Sequence, residues 1–278
     1  MSGPAGSGDD GRRPIRVALS SWSVYPLSVR DAFAVAQDLA FDGVEVKVTN
    51  SATSQDAQAL LELSHRYGQA IVSIHAPTLL FTQRVWGSAW NKIEMSCRLA
   101  REVGCGTVVV HPPFRWQSNY AKNFPAGVRQ LAEMYQVRIA VENMYPWRVR
   151  GREALAYLPH WDPLDQDYDD VTWDFSHAAI AGVDSVESIK SLGDRLRHVH
   201  LSDGSGSGRD EHLIPGRGNQ GCAEALQYLA ASGFDGVVVA EISTRKARLP
   251  GEREQWLAET LGFARRHLSR PPVAAERL

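Results

Sequence analysis

Nine side chains able to bind a metal stand at or just past the ends of short apolar runs. His75 closes AIVSIH, His111 closes TVVVH, Glu142 closes RIAVE and Glu241 closes GVVVAE. Asp174 follows VTW with His177 three residues on, His200 lies in HVHLSD, and Asp210 and His212 form D-x-H in the next loop. Carboxylates and neutral imidazoles suit Zn, Mn, Fe or Co, whereas an all-oxygen set would suit Mg or Ca better. A metal site needs several such donors converging on one point, and strand ends in a barrel supply that convergence. The pattern points to a metal-dependent enzyme.

Each donor has a plainer use to set beside ligation. A lone histidine is more often a hydrogen-bonded structural residue, and four of the nine histidines (His65, His160, His198 and His267) fall in predicted helices, a loop or mid-strand. The other five sit at strand ends or in the following loops, which that account does not explain. Glu142, Asp174, His200 and Glu241 form the strongest set. Acids placed directly after VRIAV and GVVVA would be poor choices for solubility alone. Asp174, in D-F-S-H, can also cap a helix, and the two roles can coexist. His75 and His111 precede the proline-containing turns H-A-P and H-P-P, and proline holds its predecessor extended. Asp210 and His212 lie in a Gly/Ser-rich loop and are the least specific.

Eight β-branched runs must position these groups: 15–20, 43–48, 70–75, 107–111, 137–142, 171–174, 196–201 and 236–242. Apolar residues crowd them without clean alternation, as in parallel strands covered on both faces. Helical patterns lie between them. SVRDAFAVAQDLA (28–40) offers Ser28 as N-cap, while 53–68 and 91–104 each end on a glycine. A-F-D-G-V-E-V (40–46) resembles G-F-D-G-V-V-V (233–239), so one unit recurs. The expected fold is a (β/α)8 barrel over 15–268, with disordered tails at 1–14 and 269–278. Two features oppose a doubly wound sheet. No G-x-G-x-x-G follows the first strand, and polar residues end most strands instead of clustering at one switch point.

Bulk properties narrow the function classes. A net charge of −2 over 278 residues shows no basic excess for nucleic acid. Cys97, Cys105 and Cys222 form no C-x-x-C pair, which disfavours a disulfide framework or thiolate zinc. The chain has no membrane-length apolar run and no signal-like h-region, so a cytoplasmic protein is expected, with room for a homo-oligomer. Aromatics in predicted loops (Trp22, Tyr25, Trp116, Tyr145, Trp147) could pack on sugar C–H faces or only on one another. Trp86 and Trp90 read as core or interface. Loop arginines at 115, 148, 150, 152, 245 and 248 read mostly as surface charge. Arg217, inside P-G-R-G beside the D-x-H pair, reads as a substrate contact, and DGSGSGRDEH (203–212) as a lid or a close backbone approach to substrate.

The motifs V-E-N (141–143), D-F-S-H-A-A-I-A-G (174–182), H-L-S-D…D-E-H-L-I-P-G-R-G (200–218) and A-E-I (240–242) resemble the xylose-isomerase-like TIM-barrel superfamily over nearly all of 15–268. In its isomerase and epimerase branch, the resemblance implies one divalent ion (Mn, Zn, Co, Mg or Fe) on Glu142, Asp174, His200 and Glu241. It also makes Glu142 and Glu241 the acid/base pair across an enediolate, with His177 and Arg217 contacting substrate oxygens. In its endonuclease IV-type branch, three zinc ions take the full set: His75, His111, Glu142, Asp174, His177, His200, Asp210, His212 and Glu241. That branch's opening strand with Gly-Gly, basic loop after the second strand and polar turn after the third are replaced here by ALSSWSVYP, VTNSATSQ and APTLLF. Without such loops a duplex lacks its wedge. The favoured expectation is a sugar or sugar-phosphate isomerase or epimerase with a small carbohydrate-like substrate. A zinc phosphodiesterase acting on abasic DNA and a non-catalytic metal-binding barrel are the alternatives.

Overall fold

The computed structural model describes residues 14–269 apart from 79–81, 83, 150 and 151. The expected tails, save Pro14 and Ser269, lie outside the described residues, as do the last three residues of APTLLF and Arg150.

All eight β-branched runs form strands: β1 Arg16–Ser20, β2 Val44–Lys47, β3 Ile71–His75, β4 Thr107–Val110, β5 Arg138–Glu142, β6 Asp170–Asp174, β7 Leu196–Leu201 and β8 Val237–Ala240. They are parallel and follow one another round a closed barrel, with β8 pairing back onto β1. Valines of β4, β5 and β8 are buried on both faces, which explains why the runs crowd apolar residues. Register brings chemistry to one level, because His200 pairs with Asp174 on one side and Val239 on the other.

Helices return the chain between strands. Val29–Asp38 starts on a full capping box, in which Ser28 and Asp31 satisfy each other's backbone N–H. The second helix runs Ala57–Tyr67, later than its sequence pattern suggests. Asp56 is the residue whose side chain accepts from the Ala59 N–H, and Ala52–Gln55 forms a separate 3-10 turn. The connection after β5 differs most. Among its described residues there is no helix, only a hairpin pairing Trp147–Val149 with Arg152–Ala154. A bridge from Phe114 to Tyr157 ties it to the loop after β4.

The D-G repeat has a steric basis. A Cβ on Gly43 would lie 2.6 Å from the Ala70 carbonyl oxygen, and one on Gly236 2.1 Å from that of Arg197. At both strand entrances the neighbouring backbone fills the side-chain position. Trp90 packs at 4.8 Å on Tyr120 in the helical layer. The three cysteines are buried and free. Among the described residues, no helix is long and apolar enough to cross a membrane.

Candidate active site

Parallel strands point all their C-terminal ends one way, so the donors expected from sequence meet at one mouth. Glu142, Asp174 and His200 belong to β5, β6 and β7, and Glu241 directly follows β8. One donor atom from each of these four lies within 4.8 Å of the others. His200 Nδ1 stands 2.8 Å from Glu142 Oε1, 3.2 Å from Glu241 Oε2 and 3.6 Å from Asp174 Oδ2. The two glutamates, 99 positions apart in the chain, thus face one nitrogen. Three more groups of the same compactness adjoin this one: His75, His111 and Glu142 on one side, Asp174, His177 and His212 on the other, and Glu45, His198 and His200 beneath.

The remaining imidazole nitrogens are tied down. His75 Nδ1 donates to the Ala76 carbonyl at 2.9 Å, His177 Nδ1 to that of Asn143 at 2.9 Å, and His212 Nδ1 to that of Glu241 at 2.8 Å. Each thereby turns Nε2 toward a carboxylate of the mouth, His75 toward Glu142 and the other two toward Asp210. His212 holds a left-handed backbone (φ 44°), fixed by Ser176 Oγ accepting from its N–H at 3.0 Å. Asp174 both joins the donor group and caps the helix Phe175–Ala181, accepting from the His177 N–H at 2.7 Å. Asn143 links the β5 and β6 ends through both its amide atoms.

Charges in the mouth compensate one another. Burial would push Glu142 up, but the imidazoles of His200 and His111 outweigh it and hold the carboxyl well below its usual range. Glu241 is lowered against burial by His200 and Lys47. Asp174, where burial prevails, is raised. Burial opposes the protonated form of His177, yet Asp174 and Asp210 raise it to about 10. Asp210 likewise overcomes burial to raise His212 to about 9. His111 goes the other way, pushed down to about 4 by burial that Glu142 only partly offsets.

A divalent cation fits this chemistry. Asp174 Oδ2 and His75 Nε2 are buried atoms without a hydrogen-bond partner, facing a mixed nitrogen and oxygen set. Above it opens a cavity of about 310 Å³, walled by Trp22, Phe114, Tyr145, Trp147 and Tyr157 and floored by Glu142 and Glu241.

Two expected substrate contacts lie elsewhere. Arg217 directs its guanidinium onto both carboxylate oxygens of Glu259, at 3.0 and 2.7 Å, outside the cavity lining. Trp116 stacks on Phe114 with centroids 4.4 Å apart and is 59% exposed, behind the cavity wall. The glycine-rich loop is organised from below, because buried Asp203 accepts from the N–H groups of Gly204, Gly216 and Gly218.

Three participants escaped the sequence reading. Lys47 lines the cavity 3.5 Å from Glu241 Oε1 and 5.1 Å from the Trp22 ring centre. Glu45 and His198 lie wholly buried beneath the mouth. The available signal was two charges inside V-E-V-K-V, a run too apolar to be a surface strand.

A family model described as a xylose isomerase-like TIM barrel matches residues 33–267. An uncharacterized protein of Mycobacterium tuberculosis is 47% identical, over 93% of this chain and all of its own length. Fructoselysine 3-epimerase of Escherichia coli O157:H7 is 23% identical over 63% of this chain and 52% of its own. Among solved structures, a D-tagatose 3-epimerase-like protein superposes with a TM-score of 0.68 at 25% identity, covering 92% of this chain and 100% of that one.

Proposed function

This chain belongs to the xylose isomerase-like TIM barrel family, and on that premise we propose that it is a divalent-metal-dependent isomerase or epimerase of a sugar or sugar phosphate. The observation that carries the reading is the convergence of Glu142 and Glu241 on His200 Nδ1 at the floor of an aromatic-walled cavity. The similarity to fructoselysine 3-epimerase supports the same reaction class.

Glu142, Asp174, His200 and Glu241 would hold the cation. A bound cation would offset the negative charge that develops when a proton leaves a carbon beside a carbonyl. The protein's own part is proton transfer and positioning. One glutamate takes the proton and the other returns it, so both must reach the same carbon. His177 turns Nε2 toward the cavity and can hold a substrate hydroxyl. Trp22 and Trp147 line the cavity and offer faces for sugar C–H groups, whereas Arg217 and Trp116 are not among its lining residues.

The test is exchange of solvent hydrogen into a panel of ketoses by protein carrying about one cation per chain. Exchange is expected in the wild type, with a loss of at least a hundredfold in Glu142→Gln and in Glu241→Gln. Wild-type-like exchange in either variant overturns the acid/base assignment. The two flanking donor groups favour one other reading, a multinuclear zinc phosphodiesterase. Two or three zinc ions per chain together with nicking of abasic duplex would replace the first reading with that one.

A further inference from the structure

Below the mouth, out of all contact with solvent, one carboxylate binds the underside of the proposed metal centre. Glu45, on β2, places Oε1 3.0 Å from His200 Nε2. Its Oε2 lies 2.9 Å from His198 Nε2 and accepts from Ser73 Oγ at 2.8 Å. An ionised carboxylate has no proton to give, so His200 Nε2 must carry the hydrogen between them.

That hydrogen bond sets His200 apart. His75, His177 and His212 each donate Nδ1–H to a backbone carbonyl and turn Nε2 toward the carboxylates of the mouth. His200 is inverted. It shows Nδ1 to Glu142, Asp174 and Glu241, and its Nε2 points down the barrel. In a closed parallel barrel the strand carbonyls are taken by neighbouring strands, so a side chain must accept from that nitrogen. A fully buried carboxylate is expensive unless several donors satisfy it, and three converge on this one. An apolar residue would fill the floor at lower cost.

We propose that Glu45 is a positioning residue: it holds His200 in the one tautomer and ring orientation that present an Nδ1 lone pair to the cation. The inference rests on the metal centre of the proposed function, not on the identity of the sugar. Carboxylates behind ligating histidines typically contribute 10–100-fold in metal affinity.

The experiment is titration of the metal-stripped full chain with Mn²⁺ alone, followed by electron paramagnetic resonance, for wild type, Glu45→Gln and Glu45→Leu. The dissociation constant is expected to rise about tenfold in Glu45→Gln and about a hundredfold in Glu45→Leu, the range such partners span. Circular dichroism establishes that each variant is folded, and Glu45→Gln, nearly isosteric, decides the matter if Glu45→Leu is not. In the zinc-loaded wild type, ¹⁵N shifts assigned through His200→Gln should show His200 metallated at Nδ1 and protonated at Nε2, a readout that a merely structural role would not produce. Folded Glu45 variants that bind Mn²⁺ within twofold of wild type, or His200 metallated at Nε2, overturn the inference. A wild type that binds no divalent cation overturns it together with the proposed function. Cation binding that depends on Glu45, without turnover of any sugar, overturns only the proposed function.

Discussion

His212 and Asp210 show how far a single contact governs the mouth. Their side chains meet at 3.1 Å at the cavity edge. His212 is raised to about 9 and Asp210 is lowered well below its ordinary value, in each case against burial. In the metal-free protein the raised imidazole stabilises the fold fully below about pH 6.5, the ordinary histidine value, and that contribution is lost as pH climbs through about 9. The lowered carboxylate contributes above about pH 4 and loses its share as pH falls further. The melting temperature of metal-stripped wild type should therefore exceed that of Asp210→Asn most between about pH 4 and 6.5. The gap should narrow by pH 9.5; a gap equally wide there would refute the pairing. The sequence offered these two residues as a D-x-H pattern, the least specific of the candidates because a Gly/Ser-rich loop surrounds it. Glu45 and Lys47 were not singled out, because they lie within the V-E-V-K-V run of β2 and not in a ligand pattern past its end. The ion pair of Arg217 was equally hidden: its partner Glu259 lies 42 positions away on the last helix, and no local pattern announces it.

At the scale of elements, the strands were the clearest part of the chain, since β-branched runs buried on both faces leave no polar phase to confuse. Boundaries set by a side chain were harder, as Asp56 shows by starting its helix at Ala57. The hairpin after β5 was illegible because its strands are three residues each, too short for the alternation in W-R-V-R to signal a strand. The repeated D-G is the reverse case, a two-residue pattern with a strong steric cause. At Gly236 a methyl group would meet the Arg197 carbonyl at 2.1 Å and the Phe234 ring at 2.4 Å. The obstacle includes backbone of β7, which cannot rotate away. Gly236→Ala should thus destabilise by about 1–3 kcal/mol, the usual cost of overpacking, read as a lower urea midpoint with unchanged slope. A midpoint equal to wild type would mean that β7 and β8 can separate at their entrance without penalty.

For the whole molecule, closure of the barrel is what brings donors spread from His75 to Glu241 into adjoining groups at one mouth. The ring is costly when bare, because it gathers buried carboxylates and leaves Asp174 Oδ2 and His75 Nε2 without partners. A cation that binds only the closed barrel must stabilise every strand contributing to it. At a free concentration a hundredfold above the dissociation constant, linkage gives about 2.7 kcal/mol. A domain of this size gains roughly 2–4 °C per kcal/mol. Saturating Mn²⁺ or Zn²⁺ should accordingly raise the melting temperature of the stripped protein by roughly 5–10 °C, and chelation should reverse it. The rise should vanish in His200→Gln, whose donor belongs to the central group, and persist in Arg217→Gln, whose ion pair with Glu259 lies outside the cavity. An equal rise in both variants would place the cation somewhere other than the mouth of the barrel.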